Sequence, residues 1–145
     1  MSKFLLMVAM VFPHAYAWQD TFESIGKNLR AEIDKTYKEL QEQKKLKPGE
    51  PADISAVVLK YIPVHSTFDE AEIILKAAGF QVGPRPGATV AGNRPDRYNV
   101  VSGINPYNSS LFVGKTSIWV SLIPPKPGNY KEIEKVEANI SVSSI

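Results

Sequence analysis

The sequence predicts an α+β domain in two layers, with two helices packed on a three- to four-stranded, mainly antiparallel sheet. Three observations carry this prediction. Apolar residues recur at helical spacing between Asp20 and Lys45. A second helical stretch, Phe68 to Ala78, is framed by a capping motif and a glycine. The last third of the chain alternates apolar and polar residues, the period of strands with one buried face. Helices first and strands last describe a layered α+β arrangement rather than a parallel sheet with crossover helices.

The first helix, residues 20–45, carries one apolar stripe. Phe22, Ile25, Leu29, Ile33, Tyr37 and Leu40 fall three or four residues apart. Asp20 with Glu23 resembles a capping box, and Asp34 and Lys38 are an ion pair one turn apart in the favoured order. Lys44, Lys45 and Lys47 suit a helix C-terminus, and Pro48-Gly49 stops the helix. The stripe is narrow, so this helix lies on a sheet or a partner with most of its surface outside.

Ile54 to Ile62 (ISAVVLKYI) is rich in β-branched and large apolar residues and is closed by Pro63, which predicts a buried strand. Thr67 and Glu70 form a capping box for the second helix. Ala71, Ile74, Leu75 and Ala78 make its inner face. Gly79 stands where a left-handed residue ends a helix, and Phe80 folds back on the last turn. Residues 54–80 thus form a strand–helix unit.

Gly83 to Asp96 contains three glycines and three prolines and reads as an exposed loop. Arg97 to Val101 is a short strand and Ser102 to Ser110 another loop. In Thr116 to Ile123, Thr116, Ile118, Val120 and Leu122 share one face, with Ser117, Trp119 and Ser121 on the other. In Lys135 to Ser143, Val136, Ala138, Ile140 and Val142 alternate with polar residues. A proline-rich link, Pro124 to Glu132, joins these two strands as an antiparallel hairpin with a long tip.

Residues 1–17 have the three parts of a cleavable secretory signal. Lys3 is the basic start, Phe4 to Phe12 the apolar run, and Ala15-Tyr16-Ala17 the small-x-small cleavage site behind Pro13. As a helix the apolar run rises about 14 Å, short of the roughly 30 Å hydrocarbon core, so no transmembrane anchor is expected. Residues 18–145 form a single domain of near-neutral charge, the full chain carrying a formal net charge of +2. Such a balance gives no field for nucleic acid. An exported protein with no cysteine holds itself together without disulfides, which fits a bacterial periplasm better than a eukaryotic secretory route.

The chemistry the chain lacks narrows the function further. Without cysteine there is no thiolate metal site, thiol nucleophile or lipid-attachment cysteine. Of its two histidines, His14 lies in the signal, which leaves His65 in a turn before the second helix. One histidine is too few for a histidine-based metal centre. No phosphate-binding glycine motif occurs. Asp69, Glu70 and Glu72 gather in the first turn of the second helix, where they complement its dipole. No catalytic, metal or cofactor site is expected.

What remains is binding. Arg85, Arg94 and Arg97 border the Gly/Pro loop, with Tyr98 and Tyr107 close in sequence. Arginine with tyrosine on an exposed loop is the composition of a protein-binding hot spot or an anion clamp; the same residues also suit a solvated loop. Trp119 sits on the polar face of its strand. It is either an exposed anchor or covered by the first helix.

The segment Tyr61 to Phe80 (YIPVHSTFDEAEIILKAAGF) resembles a pattern in small bacterial envelope domains. A strand ends in a turn, a Ser/Thr cap opens a helix with an acidic-Ala-Glu run, and the helix closes on glycine. The BamE/SmpA-like outer-membrane assembly lipoproteins and the β-lactamase-inhibitory proteins are the families it is similar to. The resemblance implies a helix-on-antiparallel-sheet architecture and a binding role, and it transfers no functional residue. The lipid-attachment cysteine of the first family is absent here.

The sequence therefore leads to an exported, non-catalytic protein-interaction module, an inhibitor, immunity or envelope accessory protein. Its expected partner is another envelope or secreted protein. A small-ligand or glycan-binding domain built on Trp119 is the alternative, and a carboxylate-based hydrolase stands third. The address is directly checkable. Tagged protein is expected in the periplasmic fraction with Trp18 as its N-terminal residue by Edman degradation or mass spectrometry; an intact Met1 in a cytoplasmic pool would refute the signal.

Overall fold

A computed structural model describes residues 15–87, 98–106 and 115–143. Along the chain it runs α1 (Ala15–Glu42), β1 (Ala52–Asp53), α2 (Ser55–Leu59), α3 (Phe68–Ala77), β2 (Gln81–Val82), β3 (Val100–Ile104), β4 (Thr116–Ile123) and β5 (Lys135–Val142). The strands form one sheet in the order β1-β5-β4-β3-β2, and every pairing is antiparallel. The α+β class is as the sequence predicts. The strand count is larger by the two-residue ribbons β1 and β2, which are too short to leave a periodic signal. The N-terminal signal, but for its last three residues, lies outside the described residues.

The central hairpin follows from its alternation. Thr116, Ile118, Val120 and Leu122 of β4 are buried, as are Val136, Ala138, Ile140 and Val142 of β5. Their register sets Ile118 opposite Ile140 and Trp119 opposite Asn139. The helices cover the inward face. Leu29 and Ile33 of α1 and Phe68 and Leu75 of α3 join Ile118 and Ile140 in one core.

Three elements depart from the sequence reading. First, α1 starts at Ala15, so Asp20 lies inside the helix and does not cap it. Ala15 to Gln19 contains no helix breaker, and the pattern carries through. At the other end Lys44, at φ 57°, turns the chain before Pro48 is reached. Second, Ile54 to Ile62 is not a strand but is built around α2. Ile54, Val58 and Ile62 are buried four residues apart, a helical interval that the β-branched composition masks. A strand would have placed Lys60 on the face of Val58 and Ile62. The Asp53 carboxylate accepts from the Ser55 N–H at 2.8 Å and starts the turn.

Third, the strand expected at Arg97 to Val101 is shifted to Val100–Ile104, and it takes up Ser102 and Gly103, which read as loop. Cross-strand packing overrides their poor strand propensity. The side chain of Trp119 lies over Gly103 from the neighbouring strand: a Cβ on Gly103 would stand 2.6 Å from the indole Cζ3.

The second long helix matches expectation in detail. The Thr67 hydroxyl accepts from the Glu70 N–H at 3.0 Å, and the Glu70 carboxylate accepts from the Thr67 N–H at 3.3 Å. Gly79 has φ 98°, and the Phe80 N–H closes on the Leu75 carbonyl at 2.9 Å. The contact that seats this helix was not visible in the apolar stripe. Gly26 of α1 lies against α3 so closely that a Cβ there would be 2.4 Å from the Ile74 carbonyl and 2.5 Å from the Ala77 methyl. Nearby, Arg30 Nη1 donates to the Ala78 carbonyl at 3.1 Å while its Nε pairs with Asp34 at 3.0 Å. A side chain from one helix thus caps the end of the other.

The close approach makes a sharp expectation. Gly26→Val should lower stability by about 2 kcal/mol or more, because the helices must separate to admit the side chain. Gly87→Ala, at a position with nothing within 4 Å, should stay within about 0.5 kcal/mol of the parent. Urea unfolding of both variants reads the difference.

Candidate functional site

The helices cover one face of the sheet, and the opposite face carries the exposed aromatic residue. The strand registers align Asp53, Asn139, Trp119, Gly103 and Gln81 in one row across the sheet. Trp119 is 44% exposed and Val101, diagonal to it on β3, 43%. The indole seals the gap that Gly103 leaves and stays open to solvent. Helix α1 does not cover it, which settles the two readings of this residue in favour of exposure.

The surroundings of Trp119 are polar, and the charge nearby on β5 is the Glu137 carboxylate, diagonal to it and paired with Lys135 at 3.0 Å. Ser117 and Ser121 flank it on β4, and Asn139 is opposite. The Ser117 hydroxyl donates to Asn105 Oδ1 at 2.6 Å. Toward the β2 edge the face falls into an open groove of about 470 Å³, bordered by Gln81, Pro84, Val101, Gly103, Asn105 and Trp119. Among the described residues no ionisable side chain lines it.

The other predicted binding residues are placed differently. Arg85 does not reach out. Its guanidinium bonds Glu72 at 2.8 and 3.1 Å and Asp69 at 2.6 Å, and it lies 5.9 Å from the Phe68 ring centroid and 6.0 Å from that of Tyr130. Its hydrogen bonds to Glu72, and secondarily to Asp69, raise its pKa further. Arg85 therefore fastens the chain after β2 to α3, and Asp69 and Glu72, read as dipole partners, are its anchors. Tyr98 is 1% exposed: its ring is part of the interior, not an exposed loop anchor. The Tyr130 hydroxyl lies 2.9 Å from the carbonyls of both Pro86 and Tyr98. Arg94, Arg97 and Tyr107 lie outside the described residues. Of the predicted set, Trp119 alone is shown on the open face. Val101, Gly103, Gln81 and Asn105 were missed, although a glycine among strand-forming residues is a signal of close cross-strand approach.

A second polar cluster joins α1 to the end of α2. The Tyr61 hydroxyl donates to Glu32 Oε1 at 2.6 Å, and Lys60 pairs with the same carboxylate. The bonds from Lys60 and Tyr61 hold the Glu32 carboxyl below its ordinary value. The Tyr61 phenol is pushed up to about 12, chiefly by its bond to Glu32. A carboxylate held this way is a weaker base than a free one. Among the described residues no group of His, Cys, Asp and Glu is arranged to hold a metal ion, and no helix is long and apolar enough to cross a membrane.

The cluster predicts a pH dependence. A carboxyl whose folded pKa is depressed adds stability above its unfolded value near 4.5, and that stability is lost as the pH falls through the lower folded value. Glu32→Gln should therefore cost roughly 1 kcal/mol at neutral pH, modest because Lys60 is largely exposed. The difference from the parent should shrink as the pH drops below 4.5. Thermal melts at several pH values test this.

No family model, curated protein or solved structure matches this chain.

Proposed function

We propose that the chain is a non-catalytic protein-interaction module that works outside the cytoplasm, as an inhibitor, immunity or envelope accessory protein, and that it meets its partner with the open sheet face. The exposed Trp119, backed by Gly103 and flanked by Val101, is the observation that carries this reading. Tryptophan is the residue type most often found at the centre of a binding hot spot, and a shallow, aromatic-centred face suits a protein surface better than an enclosed ligand. The engagement of Asp69, Glu72 and Glu32 in ion pairs favours binding over carboxylate catalysis. The extracellular address rests on residues 1–17, and the resemblance of residues 61–80 to envelope domains points the same way.

A photoreactive amino acid tests the surface in living cells. Placed at Ser121, on the open face, it should yield a discrete cross-linked protein. Placed at Ala31, on the outer side of α1, it should not. Trp119→Ala should reduce the Ser121 adduct at least about tenfold, the loss expected of a hot-spot residue. An adduct from Ala31 that is insensitive to Trp119→Ala would overturn this reading.

A further inference from the structure

The partner's chemistry can be narrowed from the borders of the open face. Among the described residues neither sheet edge offers a long strand to pair with, since the edge strands β1 and β2 are two residues each. On one side β2 ends at Val82, and Pro84 and Pro86, which have no N–H, follow it. On the other side β5 is covered. The Ile54 N–H donates to the Ala138 carbonyl at 2.9 Å, the Ala138 N–H donates to the Ser55 hydroxyl at 2.9 Å, and the Gly49 N–H donates to the Val142 carbonyl at 3.3 Å. A peptide segment arriving at this face must be held by side chains rather than by strand addition.

The groove beside Trp119 supplies those side chains. Its apolar surface comes from Trp119, Val101, Ile104 and Pro84, and its hydrogen-bonding groups from Gln81 and Asn105. The oxygen of Asn105 is occupied by the Ser117 hydroxyl, which leaves its amide nitrogen as a donor. With no ionisable lining residue among those described, a charged segment would lose hydration there without gaining a counter-charge. A polyproline II segment has the complementary chemistry. It makes no internal hydrogen bonds, so its carbonyls are available, and its pyrrolidine rings are compact and apolar. Its conformation is largely set before binding, so little entropy is lost.

We propose that this groove binds an uncharged, proline-rich extended segment of the partner, with Trp119 packed under a proline ring and Gln81 and Asn105 donating to peptide carbonyls. The proposal rests on the reading of the open face as the interaction surface.

The test uses the chain with Trp18→Phe, which leaves Trp119 as its single tryptophan. The purified protein is titrated with a capped peptide of alternating alanine and proline, a capped Gly-Ser peptide of equal length, and a neutral oligosaccharide. The expected result is a saturable shift of Trp119 emission with the proline peptide, at least about tenfold tighter than with the Gly-Ser peptide. By calorimetry, Trp119→Ala should weaken the proline peptide at least about tenfold and Asn105→Ala several-fold, with circular dichroism confirming that both variants fold. Saturation by the oligosaccharide alone would overturn the peptide assignment in favour of a saccharide. Absence of any peptide binding, while the Ser121 cross-link persists and depends on Trp119, would overturn this inference and leave the interaction surface standing. Loss of the cross-link as well would remove both.

Discussion

The approach of α1 to α3 at Gly26 sets how α3 leads into β2, the edge of the open sheet face. The helix backbones come so near that even a methyl group on Gly26 would overlap the Ile74 carbonyl. Because α1 lies this close, Arg30 reaches the last carbonyl of α3 at Ala78, and the chain can turn at once through Gly79 into Phe80 and the β2 ribbon. β2 in turn pairs with Ser102 and Gly103 of β3 and forms the near wall of the groove. A contact buried between helices thereby determines the shape of a surface on the far side of the sheet. Interiors are packed too densely to absorb a shift at such a point without passing it on.

The open face depends on a second small residue in the same way. Gly103 gives up strand propensity, and the cross-strand indole takes the space it leaves. Trp119 is consequently supported from below by backbone, with its free side toward solvent. A ring held in this manner has little rotamer freedom left to lose when something packs on it, and that lost freedom is a main cost of association. Arg85 contributes from a distance: by binding Asp69 and Glu72 it keeps the Gly83–Gly87 stretch on α3, and Pro84 within that stretch stays at the groove.

How much of this was legible in the sequence depended on whether the signal was local. The capping box at Thr67 and Glu70, the left-handed Gly79 and the alternation in β4 and β5 are decided by residues within a few positions of each other, and they could be read directly. The region around Ile54 to Ile62 misled because β-branched composition competed with a four-residue spacing. Here the spacing, with Lys60 out of phase for a buried strand, was the better guide. Ser102 and Gly103 read as loop because their place in β3 is set by a residue on another strand. The candidate site was half visible. Trp119 stood out on a polar strand face, whereas Gln81, Val101 and Asn105 acquire meaning only through register. Arg85 has the composition of an anion clamp, but its anion partners, Asp69 and Glu72, are in its own chain.

The Tyr130 hydroxyl, within hydrogen-bonding reach of both the Pro86 and the Tyr98 carbonyls, brings two points of the chain to one spot. Those two points are held together by one hydroxyl, so the geometry of the sheet is nearly decoupled from the length of chain that joins them. Loop closure cost grows only slowly with length once the ends are fixed. Sequence can therefore be inserted or exchanged there while β3, the hairpin and the helices keep their positions, which makes this junction the natural port in the molecule for grafting a foreign segment or for evolutionary change.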